Sequence, residues 1–403
     1  MHNGQIDRLT DYPFQRLNTL LSDIIPPAEI KPVFMSIGEP QHSAPSIINK
    51  IISSNSDKWN KYPPTAGTDS YRQAVKEWLT TRYSIKQNSL DPLKNILAVA
   101  GTREALFMLA HLVAKPLSRA GGAKILMPNP YYQVYLGAAI MSGCQHILLE
   151  ANKDNNFQPE FNKLGRSVLD QTELVFICNP ANPQGSIQNI EKLEETIFLA
   201  RKHDFIIASD ECYSEIYSHK APPSLMQACD NIDGKLDNVL IFNSLSKRSN
   251  AAGLRAGFVA GDSNLIKLFY KVRSHAAAVQ PLPIMAAATA LWEDEKHVEI
   301  NRDLYKEKFV DAEKIFGTEF GFYIPEGGFF LWLNVGNGCQ AARDLWQKGG
   351  LKVLPGNYLS QPVGAQRTPG DQYIRVALVH DKVTNKAALE RMFKILTERT
   401  NVR

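Results

Sequence analysis

Short runs of apolar residues recur through the middle of the chain, each about as long as one β-strand. Their odd and even positions are both apolar, which is typical of strands buried on both faces of a parallel sheet. The pattern predicts the strands of a largely parallel sheet. The runs cover residues 96–100, 124–127, 174–178, 205–209, 239–242 and 254–260.

Helical patterns follow several of these runs, at residues 103–114, 190–203 and 264–274. In the second of them, Leu193, Ile197 and Ala200 recur three or four positions apart, as on the buried face of an amphipathic helix. Strands that alternate with helices predict a layered α/β domain with right-handed crossover connections. We expect this large domain to cover residues 51–291.

The two ends of the chain have a different pattern. Residues 1–50 are rich in proline and contain only short helical stretches. On the C-terminal side of the large domain, a long charged helical pattern at 293–316 is followed by strand patterns at 329–335 and 373–379. We expect a smaller α+β domain built from both chain ends, with residues 1–50 as an N-terminal arm and part of that domain, and residues 292–403 as its remainder.

Composition and charge exclude several classes of protein. Hydrophobic residues make up 44% of the 403 residues and charged residues 21%, as in an ordinary soluble globular chain. The 45 basic and 41 acidic residues leave a formal charge of +4, and no basic run is interleaved with aromatic residues. We therefore expect no nucleic-acid partner and no membrane partner. The polar start lacks a signal-peptide pattern, and no apolar stretch is long enough to span a bilayer, so we expect a cytoplasmic protein.

The cysteines are few and scattered, without C-x-x-C spacing, at positions 144, 178, 212, 229 and 339. We expect neither a structural zinc site nor a disulfide framework, and no other metal site. Cys178 and Cys212 lie in or beside apolar runs, and we interpret them as small buried residues.

Polar residues follow four of the predicted strands, at the point where each strand ends. In open parallel sheets, ligands bind beyond the carboxyl ends of the strands. Together these residues offer hydroxyls, an amide, a carboxylate, a phenol and an amine, and they predict one cofactor site. Neither the dinucleotide glycine pattern nor the P-loop pattern is present, so nicotinamide cofactors and P-loop nucleotides lose their main support. The residues are Gly101, Thr102 and Arg103, then Asn182, then Asp210 and Tyr213, and finally Ser244, Ser246 and Lys247.

Taken singly, each of these residues also has an ordinary structural interpretation. Thr102 can cap a helix, and Asn182 lies in a proline-flanked turn. Lys247 can be a solvated charge at a strand end. Only the combination indicates chemistry.

The segment from Ser244 to Lys247, followed by Arg255 between two glycines, resembles the cofactor-lysine segment of the class I aminotransferases. These enzymes use pyridoxal phosphate and have fold type I, which implies a three-layer α/β/α large domain with a smaller α+β domain. Other motifs match in the same order, so the resemblance covers essentially the whole chain. They are Asp210-x-x-Tyr213, Asn179-Pro-x-Asn182-Pro-x-Gly185, Tyr62-Pro-Pro-Thr-Ala-Gly67, Pro128-Asn-Pro-Tyr131-Tyr132-x-x-Tyr135 and Tyr373-Ile-Arg375-Val.

The resemblance implies three catalytic residues. Lys247 would hold the cofactor covalently through its amine and then act as the base that moves the substrate proton. Asp210 would pair with the ring nitrogen and keep it protonated, which makes the ring an electron sink. Asn182 and Tyr213 would donate hydrogen bonds to the ring 3-oxygen.

The same resemblance implies the remaining contacts of the cofactor and the substrate. Tyr132 would stack on the ring. Arg375 would bind the substrate carboxylate through its planar fork, helped by the backbone N–H of Gly38 and by Asn182. Tyr62 would reach across a homodimer to the partner's phosphate. The phosphate ligands would be Gly101, Thr102, Arg103, Ser244, Ser246 and Arg255.

Several flanking segments resemble one bacterial branch of the family, the succinyldiaminopimelate transaminases of lysine biosynthesis. The segments that carry this likeness are residues 12–17, 36–42, 246–250, 327–332 and 354–359, and the Arg-Ser-Asn at 248–250 is the most informative part. The branch implies a long substrate with several carboxylates, for which Arg16 and Arg248 are candidate ligands. Aspartate, alanine and aromatic transaminases remain alternatives, as do carbon–sulfur lyases and, more remotely, regulators with an aminotransferase-like sensor domain.

Overall fold

The computed structural model describes residues 2–114, 122–276, 278–364 and 367–401. Within them the strands are β1 Val33–Phe34, β2 Ile96–Val99, β3 Lys124–Asn129, β4 Gln145–Glu150, β5 Thr172–Cys178, β6 Ile206–Asp210, β7 Val239–Ser244, β8 Gly257–Gly261, β9 Phe330–Asn334, β10 Leu351–Lys352, β11 Leu354–Pro355 and β12 Tyr373–Ala377. The first helices are α1 Pro13–Leu20, α2 Ile47–Ser54, α3 Asp69–Tyr83, α4 Pro92–Asn95, α5 Thr102–Val113, α6 Gln133–Met141, α7 Arg166–Leu169 and α8 Ile190–His203. The later helices are α9 Leu225–Ile232, α10 Leu245–Arg248, α11 Ser263–Ala276, α12 Leu282–Glu293, α13 Lys296–Phe316, α14 Gly338–Gly349 and α15 Lys382–Asn401.

A seven-stranded sheet, in the order β2-β8-β7-β6-β5-β3-β4, forms the centre of the molecule. Strand β8 runs antiparallel to both of its neighbours, whereas the other neighbouring pairs are parallel. The predicted, mostly parallel sheet is therefore confirmed.

Helices cover both faces of this sheet. Alternate residues of β2 enter two different apolar clusters, with Ile96 on one face and Leu97 on the other. Trp78 of α3 and Leu193 of α8 pack on the first face, while Phe269 of α11 packs on the second. This arrangement is the three-layer α/β/α architecture that the resemblance implied.

The predicted strand boundaries were wrong in two places. Strand β8 begins at Gly257 because the preceding residues form a short 3₁₀ turn and Arg255 has a left-handed φ of 52°. Strand β4 was not predicted because it lies at the sheet edge, where half-buried and exposed residues replace the continuous apolar run.

The two chain ends share a second, smaller assembly. Strand β1 pairs in parallel with β10, which lies more than three hundred residues later in the chain, at Leu351–Lys352. Strands β11, β12 and β9 form an antiparallel sheet, and helices α13, α14 and α15 contribute to its core. This pairing agrees with the expected α+β unit, while the boundaries at 50 and 291 remain a prediction. None of the described helices is both long enough and apolar enough to cross a membrane.

Candidate active site

The carboxyl ends of the parallel strands open into one cavity of about 440 Å³. That volume lies within the range of small-molecule and cofactor sites. The cavity brings together residues that are far apart in the sequence, and twelve predicted site residues line it. They are Gly38, Thr102, Arg103, Tyr132, Asn182, Asp210, Tyr213, Ser244, Ser246, Lys247, Arg255 and Arg375.

Lys247 lies on the short helix α10, directly after the end of β7. Its Nζ donates a hydrogen bond to the carbonyl oxygen of Gly38. Burial is the main cause that lowers the pKa of this amine to about 8; the positive charges of Arg375 and Arg255 act in the same direction, and Cys212 and Glu39 act against it. The unprotonated amine, which is the form that a nucleophile or general base requires, is therefore more populated at neutral pH than for an ordinary lysine.

Asp210 is the last residue of β6, and its carboxylate lies on the cavity wall. The Tyr135 hydroxyl donates to its Oδ2 at 2.9 Å, and the Cys212 backbone N–H donates to its Oδ1 at 3.3 Å. Burial raises the pKa of Asp210, whereas these two hydrogen bonds lower it. The ring of Tyr135 is fixed in turn by stacking on Phe176, with ring centroids 4.6 Å apart.

A set of donors suited to a phosphate lies at the start of α5. Gly101 caps this helix with a φ of 82°, a region that favours glycine, and a Cβ at this position would clash with the Arg255 guanidinium. Backbone N–H groups at a helix start and a guanidinium both favour a phosphate dianion. The hydroxyls of Ser244 and Ser246 lie on the same wall, 2.9 Å from each other.

The donors, the buried carboxylate and the lysine amine match the phosphate, ring nitrogen and aldehyde of pyridoxal phosphate. The residues present therefore fit this cofactor.

Arg375 lies on β12 and is only 5% exposed. It donates from Nη1 to the Asn182 Oδ1 at 3.0 Å and from Nη2 to the Ser36 carbonyl at 2.8 Å. Its guanidinium also lies 4.3 Å from the centroid of the Phe330 ring. Burial lowers the pKa of Arg375 to about 10, so it stays charged at neutral pH. A charged, buried guanidinium that lines a cavity is a suitable ligand for a substrate carboxylate.

Comparison with known protein families identifies the kind of active site that these residues form. Residues 31–392 match the family described as aminotransferase class I and II. The chain belongs to this family. It is a pyridoxal-phosphate-dependent aminotransferase, and its fold is fold type I.

Curated relatives of this aminotransferase have more specific names. It is 30% identical over 361 residues to 4-dedimethylamino-4-oxo-anhydrotetracycline transaminase OxyQ of Streptomyces rimosus, covering 89% of this chain and 92% of that one. It is 30% identical over 370 residues to LL-diaminopimelate aminotransferase of Halothermothrix orenii, covering 89% and 90%.

Solved structures agree closely in fold. An aminotransferase from Neisseria meningitidis is 38% identical, with a TM-score of 0.91 over 98% of this chain and 100% of that one. The aminotransferase AspB from Helicobacter pylori is 35% identical, with a TM-score of 0.87 over 97% and 99%.

Four candidate residues lie outside the wall of this aminotransferase's cavity: Gly101, Tyr62, Arg16 and Arg248. Gly101 lies directly behind it, against Arg255. Tyr62 is fully exposed on the single chain. Arg16 stacks on the Tyr358 ring, with its guanidinium 4.0 Å from the ring centroid.

The hypothesis that Arg248 binds a distal carboxylate is wrong. Its side chain is fully buried, with its guanidinium 5.0 Å from the Trp292 ring centroid and 5.5 Å from that of Trp78. It donates to the Leu291 carbonyl at 2.5 Å and pairs with Glu295. Trp78, Trp292 and Leu291 are buried in the core, and Glu295 lies at its surface. Arg248 therefore stabilises the fold and does not reach a substrate.

Some functional contacts were missed by the sequence reasoning. Tyr135 lies in one of the predicted motifs, but the sequence predicted no role for it. Its spacing from Tyr132 could have indicated that both residues lie at the start of one helix. Cys178 and Cys212 were interpreted only as small buried residues, yet both line the cavity. The Cys212 thiol lies 3.2 Å from the Thr102 hydroxyl, beside the predicted phosphate ligands.

Proposed function

We propose that Lys247 is the covalent cofactor ligand and the base of this aminotransferase, with Asp210 at the cofactor ring and Arg375 at the substrate carboxylate. The observation that carries this proposal is that an amine with a lowered pKa, a buried carboxylate and a buried guanidinium face one cavity. When bound, the cofactor supplies an electron sink for the substrate carbanion. Lys247 moves the proton, Asp210 remains ionised, and Arg375 orients the substrate.

Borohydride reduction of the holoenzyme, followed by peptide mapping, tests this assignment. We expect the pyridoxyl group on Lys247. The exposed Lys271, on α11, is the internal comparison. A pyridoxyl group on that or any other lysine would contradict the proposed site.

For the substrate, we propose amino transfer between glutamate and the oxo acid that becomes N-succinyl-LL-diaminopimelate. The flanking segments that resemble the succinyldiaminopimelate branch support this proposal. So does the cavity mouth, where Arg103 lies beside the Tyr12 ring at 5.7 Å and donates from Nε to the Tyr132 hydroxyl at 3.0 Å. Arg103, which the resemblance placed among the phosphate ligands, donates instead to Tyr132, and it joins Arg16 as a candidate ligand of the distal carboxylates.

A second candidate substrate is LL-diaminopimelate itself, which lacks the succinyl group. The observation that favours it is that several curated relatives, including the Halothermothrix orenii protein, are named LL-diaminopimelate aminotransferases. The two substrates share a long chain with a distal carboxylate, but only the succinylated one carries an additional acid in place of a second free amine.

Steady-state kinetics distinguishes these substrates. We expect the highest kcat/KM with the succinylated diacid and lower values with LL-diaminopimelate, aspartate, alanine and phenylalanine. Arg16→Ala or Arg103→Ala should lower kcat/KM for the long substrates by roughly tenfold to a thousandfold, as loss of a charge-paired contact does, and should change alanine little. Arg166→Ala, at a highly exposed position, is the matched control. An equal loss with all donors would contradict the distal role of either arginine.

We also propose that the enzyme is a homodimer with Tyr62 directed at the partner's site. The support is the full exposure of this large aromatic side chain on the single chain. Sedimentation velocity should give the mass of two chains, and Tyr62→Phe should weaken cofactor binding. A monomer of full activity would contradict this proposal.

A further inference from the structure

Asn301 lies on α13, outside the cavity, and is only 3% exposed. Its Nδ2 donates to the backbone carbonyl of Lys247 at 3.1 Å and to that of Arg248 at 3.4 Å. One amide therefore holds the turn from which the catalytic lysine projects.

The carbonyl oxygen of the same amide, Oδ1, accepts two hydrogen bonds. Since carbonyl oxygens only accept hydrogen bonds, Nδ2 must face them and Oδ1 must act as an acceptor. Oδ1 lies 2.9 Å from Asn250 Nδ2 and 3.0 Å from His42 Nδ1. Both of these nitrogens must therefore carry the proton, which fixes the tautomer of His42 with its hydrogen on Nδ1.

His42 is held from its other side as well. Its Nε2 lies 2.6 Å from the Lys308 Nζ, which also donates to the Leu378 carbonyl at 3.0 Å. Burial and the Lys308 charge lower the pKa of His42, whereas the hydrogen bond with Asn301 and the charge of Asp381 act in the opposite direction. The neutral imidazole that donates from Nδ1 and accepts at Nε2 satisfies both neighbours at once.

The loop of residues 36–42, which ends at His42, contacts two of the proposed active-site residues. The Ser36 carbonyl accepts from Arg375, and the Gly38 carbonyl accepts from the Lys247 Nζ. His42 then connects this loop to Asn301, and Asn301 connects it back to the Lys247 backbone. The amine and the backbone of the lysine are thus tied to the same loop by two separate routes.

We propose that Asn301 and His42 form a positioning unit that fixes the Lys247 amine relative to Gly38 and Arg375. Neither residue touches the cavity, so both act through the lysine and the loop. The inference rests on the role proposed above for Lys247.

Two substitutions of His42 separate the hydrogen bond from the bulk of the ring. An asparagine places its amide nitrogen near the position of Nδ1 and keeps the donor to Asn301. A glutamine reaches the position of Nε2, beside Lys308, and loses that donor. Asn301→Ala removes the unit entirely. Asn385→Ala is the matched control, because Asn385 is 1% exposed and donates to the His380 carbonyl, away from the lysine.

The main readout is the pH midpoint of the visible absorption band of the substrate-free holoenzyme, which reports the environment of Lys247 without turnover. We expect His42→Gln and Asn301→Ala to shift this midpoint and to lower kcat by roughly ten- to a hundredfold, with KM for glutamate changed much less. His42→Asn should stay within about twofold of the unaltered enzyme in kcat. Asn385→Ala should leave the midpoint unchanged.

If the two His42 variants have the same midpoint and the same kcat, the ring only fills space and the inference is wrong. The same conclusion follows if Asn385→Ala shifts the midpoint as much as Asn301→Ala. A wrong substrate assignment leaves the result intact, because the band is measured before substrate is added. An unaltered protein without a pH-dependent band would instead overturn the role of Lys247, and this inference with it.

Discussion

The hydroxyl of Tyr135 is one of the groups that lower the pKa of Asp210, together with the side chain and backbone N–H of Cys212 and the charge of Lys247. Asp210 is buried at the end of β6, and burial raises its pKa. The hydrogen bond from Tyr135, at 2.9 Å, opposes that rise because it stabilises the charged form. Tyr135→Phe removes this donor and leaves the aromatic ring to stack on Phe176.

The size of the effect follows from the charge of the acceptor. A hydrogen bond to a charged group contributes about 1.5–3 kcal/mol. Its loss destabilises the charged form by a similar amount and therefore raises the pKa of Asp210. Since the ionised carboxylate is the form that we propose to act at the cofactor ring, we expect the variant to need a higher pH to reach the same activity. The acidic limb of its pH profile therefore moves to higher pH.

The assay is kcat/KM for glutamate as a function of pH, from acidic to mildly basic solution. Tyr305→Phe is the control, because the buried Tyr305 hydroxyl has no hydrogen-bond partner among the residues that the structure describes. The control should keep the pH profile of the unaltered enzyme. An acidic limb of Tyr135→Phe that coincides with that of the unaltered enzyme would refute the reasoning about Asp210.

Three further substitutions test other parts of the structure. Arg375→Lys should lower kcat/KM by roughly ten- to a hundredfold for every amino acid, because an ammonium cannot form the two-pronged carboxylate contact; a loss with one donor only would contradict this. Burial raises the pKa of Glu211 to about 7. Between about pH 4.5 and 7 the folded state therefore keeps a proton on Glu211 that the unfolded state has released, and the stability that this proton contributes is lost as the pH rises from about 4.5 to 7. Glu211→Gln should remove that slope from the free energy of unfolding measured in urea, and an unchanged slope would contradict the burial argument. Arg248→Ala should lower the free energy of unfolding by about 3 kcal/mol, by opening a cavity and leaving the Leu291 carbonyl unpaired, without altering substrate preference; a changed preference would contradict its assignment to the core.

The sequence predicted those site residues that follow a strand. Asp210 comes directly after an apolar run, and Asn182 and Lys247 come four and five residues after theirs. Parallel strands place their carboxyl ends at one edge of the sheet. Local pattern and topology were therefore sufficient for them. The same reasoning located the sheet and its buried strands, but it missed the edge strand β4, where the apolar run is broken.

Contacts between distant segments could not be predicted in this way. Arg248 follows the lysine directly and has the same local pattern as a site residue, yet its side chain lies between Trp78 and Trp292, which belong to two different helices. Asn301 belongs to a charged helical pattern that gives no sign of a buried amide. In both cases the role is decided by side chains brought together only by tertiary packing.

The distribution of charge around Lys247 explains how its proton affinity can change during use. Arg255 and Arg375 both lower the pKa of its amine, in addition to burial. A phosphate paired with Arg255 and a carboxylate paired with Arg375 each offset one of these positive charges. In the role proposed above, the Lys247 amine would therefore bind a proton more tightly once both anions are in place. A substrate without a carboxylate would leave the Arg375 charge uncompensated, so it would lose affinity for the site and also meet a weaker base.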